Sequence, residues 1–226
     1  GTVSLMPDRL RTTVLISGSG SNLQALIDAR DSGRLDIDIG HVICNVSGAA
    51  GLQRAERASI PTSVLEHGAF ADRAAFDRAL ALLIAAGEPQ LVVLAGFMRI
   101  IGPAVLEPFQ GRMINLHPSL LPLYRGTDTY QRAIDAGDRQ HGASIHFVTE
   151  ELDGGPVIAQ VLIPIMPNDD ASSLAARLAP MEHRLVVATV ELFSRHRVEC
   201  DDGWVFVDGK KRLEPLQLQA DGRLPS

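Results

Sequence analysis

Two hydrophobic patterns, one typical of strands and one typical of helices, alternate along this chain, and their order predicts an α/β fold. Short continuous runs of β-branched and aliphatic residues, such as residues 12–16 and 91–95, are typical of strands that are buried on both faces of a sheet. Between these runs apolar residues recur at helical spacing, most clearly over residues 72–86, where Phe76 and Leu80 share one face. This order of strands and helices predicts β–α units around a parallel sheet.

The remaining elements follow from the same patterns. Further strands are predicted at residues 39–44, 61–65 and 113–117, and helices at residues 23–27, 49–58 and, as a short helix or turn, 101–109. Later in the chain, residues 142–149 alternate between two faces, and Gly154-Gly155-Pro156 separates them from an apolar run at residues 157–163. Because alternation and a nearby turn are typical of antiparallel strands, we expect an antiparallel pair here.

The C-terminal part predicts one long helix and a hairpin. Apolar residues continue at helical spacing from Leu174 to Leu192, with Pro180 inside the pattern, which predicts a kink or a helix that starts there. Residues 198–207 predict a terminal hairpin. We expect one α/β domain over residues 12–207, with a mostly parallel central sheet, an antiparallel part in its C-terminal half and helices on both faces. Residues 1–11 and 208–226 are interpreted as tails.

Composition narrows the classes of function. The 226 residues carry a net charge of −6, which argues against a nucleic-acid surface because phosphate backbones favour basic faces. The two cysteines, Cys44 and Cys200, match no metal spacing and are typical of a reduced, cytoplasmic protein. No apolar stretch approaches the ~20 residues of a membrane span, and residues 1–11 contain no signal-peptide core. We therefore expect a cytoplasmic protein that binds neither membranes nor nucleic acid.

The motif Asn115-Leu116-His117-Pro118 is the strongest candidate for chemistry. Side chains alternate along a strand, so Asn115 and His117 project from the same side, roughly 6.5–7 Å apart. Pro118 ends the strand, and the carboxyl ends of strands are where open α/β sheets bind ligands. An amide that donates to an oxyanion, beside an imidazole that moves a proton, suits acyl-type transfer. A strand that simply ends in a turn is the alternative interpretation.

A loop of glycine and serine, residues 18–22, connects the first strand to a helix. Backbone N–H groups of small residues approach an anion closely, and a helix N-terminus favours negative charge. The loop lacks the Gly-Lys-Ser/Thr ending of a Walker motif, and Leu23 stands where a dinucleotide fingerprint has its third glycine. A site for a single phosphate and a plain turn in which Ser21 or Asn22 caps the helix remain equally open.

Other candidate residues are weaker when taken alone. Asp153 lies in a turn, where most carboxylates are solvated, and gains a catalytic role only if it pairs with His117. Strand alternation turns His146 away from the apolar face, which favours a half-exposed strand histidine over a residue of the site, although both interpretations remain open. Glu182 borders the apolar stripe of its helix, where it either receives a substrate amine or caps the edge of the core. Two arginines, Arg73 and Arg99, are candidates for binding an acidic ligand.

Together these motifs resemble the folate-dependent phosphoribosylglycinamide formyltransferases of purine synthesis. The matching stretches are residues 16–23, 92–100, 114–122 and 141–156, in the family's order. The resemblance implies a Rossmann-like formyltransferase domain, in which residues 12–110 are the nucleotide- and phosphate-binding half and residues 111–207 the catalytic and folate-cleft half. It implies formyl transfer from 10-formyltetrahydrofolate, as co-substrate, to the primary amine of glycinamide ribonucleotide. It further implies no metal, no covalent enzyme intermediate, a strand order that reverses near the site, and a monomer or homodimer.

The resemblance also implies a role for each matching residue. The implied catalytic residues are Asn115, His117 and Asp153. The implied ribonucleotide contacts are Gly20, Ser21 and Asn22 to the phosphate, and Glu182 to the amine. The implied folate contacts are Arg73, near the glutamate tail, with Phe97, Met98, Arg99, Ile100, His146 and Val148.

Two stretches depart from the pattern, and two classes of rival function remain. Residues 123–130 replace the Lys-Tyr-Pro-Gly and histidines of some relatives, and residues 179–181 lack their polar residues, which affects secondary nucleotide contacts.

The enzyme rivals are a methionyl-tRNA formyltransferase and a formyltetrahydrofolate deformylase, whose additional domains we do not expect here. A folate- or nucleotide-binding module without catalysis is the rival from another class.

Overall fold

The computed structural model describes residues 9–225 of the chain. The strands are β1 (Leu10–Ile16), β2 (Ile37–Cys44), β3 (Thr62–Val64), β4 (Leu91–Leu94), β5 (Met113–His117), β6 (Gln140–Phe147), β7 (Val157–Pro164), β8 (Val198–Asp201), β9 (Trp204–Val207), β10 (Lys210–Arg212) and β11 (Leu216–Gln217). The helices are α1 (Ser21–Asp31), α2 (Ala50–Arg57), α3 (Arg73–Ala86), α4 (Pro103–Leu106), α5 (Thr129–Asp135) and α6 (Ala171–Arg195), with 3-10 turns at His67–Ala69 and Glu107–Phe109. Residues 1–8 of the predicted N-terminal tail lie outside the described residues.

Eight strands form one continuous sheet in the order β11-β7-β6-β5-β4-β1-β2-β3. Neighbours from β5 to β3 pair in parallel, as do β7 and β11. Strand β6 is antiparallel to both of its neighbours, β5 and β7. The predicted α/β fold, with a mostly parallel sheet and an antiparallel part in the C-terminal half, is confirmed.

Apolar clusters cover both faces of this sheet. Val14 and Ile16 of β1 point into a cluster that includes the apolar faces of α1 and α6, whereas Leu15 points into a cluster with α3 and α4. Successive side chains of a strand face opposite sides of the sheet. When helices cover both sides, every residue of the strand is buried, which explains why residues 12–16 of β1 are a continuous β-branched and aliphatic run. The predicted helices on both faces are therefore present.

Polar residues set the starts of the two helices that flank the site. The carboxylate of Asp72 accepts a hydrogen bond from the Ala75 N–H at 2.8 Å, which caps α3. At the start of α6, the Asp170 side chain accepts from the Ser173 N–H while Ser173 Oγ accepts from the Asp170 N–H, a reciprocal capping box. Helix α6 runs through Pro180 instead of starting there, because its capped start and its apolar stripe outweigh the one backbone hydrogen bond that proline removes.

The end of the chain is more structured than the sequence predicts. Residues 208–225 of the predicted C-terminal tail are not simply a tail, since β10 adds a third strand to the predicted hairpin and β11 extends the main sheet beside β7; residue 226 lies outside the described residues. The Arg223 guanidinium also donates to both oxygens of Glu191 on α6, at 2.8 and 3.0 Å. These strands are three and two residues long, too short to leave a hydrophobic pattern. Between residues 9 and 225, none of the helices has the length and apolar character that crossing a membrane requires.

Candidate active site

Three groups of predicted site residues lie at the carboxyl ends of β1, β4 and β5, where the strand order changes direction. After β1 the chain adds β2 and β3 on one side, whereas β4 and β5 lie on the other side of β1. The loops after β1 and β4 therefore diverge and leave a crevice, which is where open α/β sheets bind ligands. A hydrogen bond from the Met98 N–H to Ser17 Oγ, 2.8 Å long, joins the two loops.

The glycine–serine loop at residues 18–22 forms one wall of this crevice. Gly20 has a φ of 71°, in the left-handed region that favours glycine, and a Cβ on it would lie 2.6 Å from Gly51 Cα on α2. The Gly51 N–H donates to the Gly18 carbonyl at 3.0 Å. Gly20 is itself the N-cap of α1, and no side chain caps the helix. The first N–H groups of α1 are thus left for another partner, as an anion site requires.

Neighbouring strands bring Asn115 and His146 together at the bottom of the crevice. The two residues are directly opposite in the β5–β6 register, and Asn115 Nδ2 lies 3.2 Å from His146 Nε2. His146 Nδ1 lies 2.9 Å from the Phe147 carbonyl oxygen, which can only accept, so Nδ1 carries the proton and Nε2 accepts from the amide. Burial lowers the pKa of His146, which keeps the ring neutral.

The prediction that His146 is half exposed is wrong. The residue is 2% exposed. Strand β6 lies inside the sheet, and every residue from 141 to 147 is buried, so alternation in its sequence does not distinguish a wet face from a core face. Buried polar groups need hydrogen-bond partners, and the amide of Asn115 provides one for His146.

His117 and Asp153 form a buried pair beside this amide. His117 Nε2 donates to the Tyr124 carbonyl at 2.8 Å, which turns Nδ1 toward Asp153 Oδ2, 3.5 Å away. The same carboxylate oxygen accepts from the Gly126 N–H at 2.8 Å. His117 and Asp153 have only 7% and 8% of their side chains exposed. A single loop, residues 123–128, therefore fixes the imidazole with a carbonyl and the carboxylate with an amide.

Asp153 reaches the pair because its loop folds back over the sheet. The loop leaves β6 beside the start of β5, where the Val148 N–H donates to the Met113 carbonyl at 2.9 Å. Gly155 packs so closely against β6 that a Cβ would collide with the Phe147 carbonyl oxygen. Only glycine fits at this point, so the return path of the loop, and with it the position of Asp153, depends on residue 155.

A comparison with known families now gives this geometry a context. The formyl transferase family model matches residues 10–190, which is most of the chain. The chain belongs to the formyl transferase family. The phosphoribosylglycinamide formyltransferase of Escherichia coli is 43% identical over 212 residues, covering 94% of this chain and all of the relative. The trifunctional purine biosynthetic protein adenosine-3 of Drosophila melanogaster is 46% identical over 177 residues, covering 77% of this chain and 13% of the relative.

A solved structure of the same family shares the fold. The phosphoribosylglycinamide formyltransferase from Coxiella burnetii, in complex with CHES, superimposes with a TM-score of 0.86 at 44% identity, covering 90% of this chain and 95% of the other. The predicted family resemblance is confirmed.

In this formyl transferase, Glu182 of α6 lies beside Asn22 of the glycine–serine loop. Burial raises the pKa of the Glu182 carboxyl, and hydrogen bonding by Tyr130 and Asn22 partly offsets that rise. The Tyr130 hydroxyl donates to Glu182 Oε1 at 3.1 Å. Glu182 and the predicted phosphate contact Asn22 are therefore neighbours, although 160 positions separate them in the sequence.

The predicted folate contacts form a second wall, between α3 and the loop after β4. The Arg73 guanidinium donates to the Ile100 carbonyl at 3.0 Å, and the Arg99 guanidinium lies 4.1 Å above the Phe76 ring. Two of the remaining residues, Phe97 and Val148, are buried in the cluster that contains α3. Met98 is 81% exposed and Ile100 53% exposed. An exposed apolar edge beside arginines suits an aromatic ligand that carries carboxylates.

Several residues that shape the site are absent from the sequence predictions. Tyr124 and Gly126 act through the backbone, Tyr130 acts through its hydroxyl, and Arg54 of α2 donates from Nε to the Ser19 carbonyl at 2.7 Å. No spacing rule relates these positions to their partners, because loops and helix packing bring them together. Among residues 9–225, no group of three or more His, Cys, Asp or Glu side chains is arranged to hold a metal ion.

Proposed function

We propose that this chain transfers the formyl group of 10-formyltetrahydrofolate to the primary amine of glycinamide ribonucleotide, giving formylglycinamide ribonucleotide and tetrahydrofolate. The observation that carries the proposal is the cluster of half-buried Asn115 with the buried His117 and Asp153 side chains, in a chain 43% identical to a phosphoribosylglycinamide formyltransferase over most of its length. An amide donor, an imidazole and a carboxylate at one point suit acyl transfer to an amine.

The nucleotide substrate is proposed to lie along the crevice from the phosphate loop to His117. The phosphate would accept from the N–H groups at Gly20, Ser21 and Asn22, where the dipole of α1 favours negative charge. Glu182, next to Asn22, would accept hydrogen bonds from donors of the ribonucleotide, its amine among them. This arrangement fixes the substrate at two places and directs its amine towards the formyl carbon.

In the first step, the amine nitrogen attacks the formyl carbon and forms a tetrahedral intermediate. One Nδ2 hydrogen of Asn115 is taken by His146, which leaves the other to donate to the new oxyanion. Protonated His117, held by the Tyr124 carbonyl at Nε2, would donate from Nδ1 to the same oxygen. Preorganised donors of this kind are typically worth about 3–4 kcal/mol each.

In the second step, protons move and the bond to the folate breaks. Asp153 balances the charge of His117 and accepts the proton that the attacking nitrogen loses, directly or through water. The carbon–N10 bond of the folate then breaks, and the same carboxyl returns a proton to N10. The 3.5 Å between His117 Nδ1 and Asp153 Oδ2 is long for a hydrogen bond, so Nδ1 is not committed to the carboxylate and can donate to the oxyanion.

The folate is proposed to occupy the second wall of the crevice. Its ring system would lie against Phe97, Met98 and Val148, with backbone hydrogen-bonding groups of the Arg99–Ile100 segment at its edge. Arg73, half exposed at the start of α3, would meet the glutamate tail. The free thiols of Cys44 and Cys200 support a reducing, cytoplasmic location, where we propose that the enzyme acts on small molecules as a monomer or homodimer.

Formyl transfer followed by absorbance tests the proposal directly. The purified chain is mixed with 10-formyl-5,8-dideazafolate, with and without glycinamide ribonucleotide, and loss of the formyl group is recorded. We expect deformylation only when the ribonucleotide is present. Deformylation without it would favour a hydrolase, and folate binding without any reaction would leave a binding module; either result overturns the proposal.

A further inference from the structure

Helix α5 places a tyrosine against the carboxylate that faces the phosphate loop. Tyr130 lies in the first turn of α5, and its hydroxyl donates to Glu182 Oε1 at 3.1 Å. The ring of buried His141 packs edge-on against the Tyr130 ring, with 5.2 Å between the centroids. The contact with His141 holds the phenol ring in place, with its hydroxyl directed at Glu182.

The geometry points to Tyr130 as a positioning residue for the nucleotide substrate, acting through Glu182. With Oε1 held by the hydroxyl, the carboxylate is restricted in rotation, which would present its other oxygen to a substrate donor beside Asn22. This inference rests on the proposed function, because it assigns Tyr130 to the ribonucleotide side of the site. It gives a role to one residue of the stretch 123–130, which differs from the sequence of some relatives.

The contact is local to the nucleotide side of the site. Tyr130 and Glu182 join α5 to α6, whereas the predicted folate residues lie on α3 and the loops after β4 and β6. The tyrosine touches Glu182 and not the reacting atoms. Loss of its hydroxyl should therefore change binding of the ribonucleotide and leave both folate binding and the chemical step in place.

The first experiment measures steady-state kinetics of Tyr130→Phe, which keeps the ring and its packing on His141. We expect KM for glycinamide ribonucleotide to rise about three- to tenfold, the range for losing one hydrogen bond. KM for the formyl folate and kcat should stay within about twofold of the parent values. An unchanged ribonucleotide KM, in a variant whose melting temperature matches the parent, overturns the inference.

A double-mutant cycle with Glu182→Gln separates positioning from a purely structural effect. If Tyr130 acts through Glu182, the hydroxyl matters little once the carboxylate is gone, so the double variant should have nearly the KM of Glu182→Gln alone. Effects that multiply independently would show that Tyr130 works through another group, and the inference would be wrong.

The pH dependence of KM supplies a third measurement. The Tyr130 hydroxyl lowers the pKa of the Glu182 carboxyl, so its removal raises that pKa and the ribonucleotide KM should begin to increase at a higher pH on acidification. The other groups close by are Asn22, which hydrogen-bonds to Glu182, and the next residue of α6, His183, whose pKa is lowered by burial and further by the charge of Arg54. A pH profile that does not move contradicts the inference. If the parent enzyme itself shows no ribonucleotide-dependent transfer, the proposed function has failed instead.

Discussion

The glycine–serine loop at residues 18–22, proposed to bind phosphate, and the proposed catalytic cluster of Asn115, His117 and Asp153 are built in opposite ways. Residues 18–22 are contiguous, and their shape depends on the absence of side chains, since a Cβ on Gly20 would lie only 2.6 Å from the Gly51 backbone. The catalytic cluster is assembled from β5, β6 and a returning loop, and it depends on which side chains are present and on their mutual orientation. The loop thus depends on backbone groups whose conformation the local sequence determines. The cluster depends on side chains that tertiary contacts bring together.

The sharpest test of this contrast is the loss of the imidazole. His117→Asn should lower kcat by about 10²- to 10⁴-fold, the range for a missing acid–base group, while the ribonucleotide still binds to the phosphate loop. Stopped-flow or steady-state kinetics measure kcat, and calorimetry measures ribonucleotide affinity. His41→Asn is the matched control, because His41 on β2 contacts Ser63 Oγ, outside the crevice. An active His117→Asn enzyme would contradict the catalytic assignment.

The next largest effect should come from the backbone half of the site. Gly20→Ala adds a Cβ that strains a left-handed residue and collides with α2, so we expect the ribonucleotide KM to rise by about ten- to a hundredfold with a small change in folate KM. Gly137→Ala is the control, because Gly137 has a φ of +72° and no atom within 4 Å of the added Cβ. If both variants raise KM equally, general backbone strain, and not the shape of the loop, is responsible.

Unlike the two substitutions above, which impair activity, neutralising Glu182 should bring a gain, in the stability of the protein. The raised pKa of this carboxyl means that its charged form is disfavoured in the folded state, so stability is lost as pH rises above the ordinary value of 4.5. Glu182→Gln removes this penalty and should raise the melting temperature by roughly 2–4 °C at pH 8. The gain should shrink as pH falls towards 4.5. A gain that is independent of pH would show that packing, and not charge, is the cause.

The smallest effect is expected at an exposed ion pair close to His117 and Asp153. Arg125 and Glu151 form an ion pair between the loop that holds His117 and the loop that carries Asp153, with 42% and 66% of their side chains exposed. Exposed pairs contribute little, so Arg125→Ala should lower stability by less than about 1 kcal/mol and change kcat by less than about twofold. Denaturant unfolding and kinetics measure both. A tenfold fall in kcat would mean that this pair holds the Asp153 loop in place.

The parts that sequence reasoning predicts well are those with local causes. Strand β5 has the predicted bounds at residues 113–117, because an apolar run ends there in an amide, an imidazole and a proline. Helix α3 follows from its apolar stripe and its Asp72 cap. Helix α5 is absent from the sequence predictions, since its seven residues bury only Thr129 and Ala133 and leave no stripe to detect.

What only the tertiary structure decided is the set of contacts between distant segments. The sequence by itself determined the α/β fold, the family, the position of Asn115 and His117 on one strand face, and the glycine loop, because these depend on periodicity and on short-range geometry. It did not determine the burial of His146, the meeting of Asp153 with His117, or the contact between Tyr130 and Glu182. Such contacts join residues that are far apart in the sequence, and they depend on the order of the strands and on the path of the connecting loops. No local sequence pattern indicates which distant residues will meet.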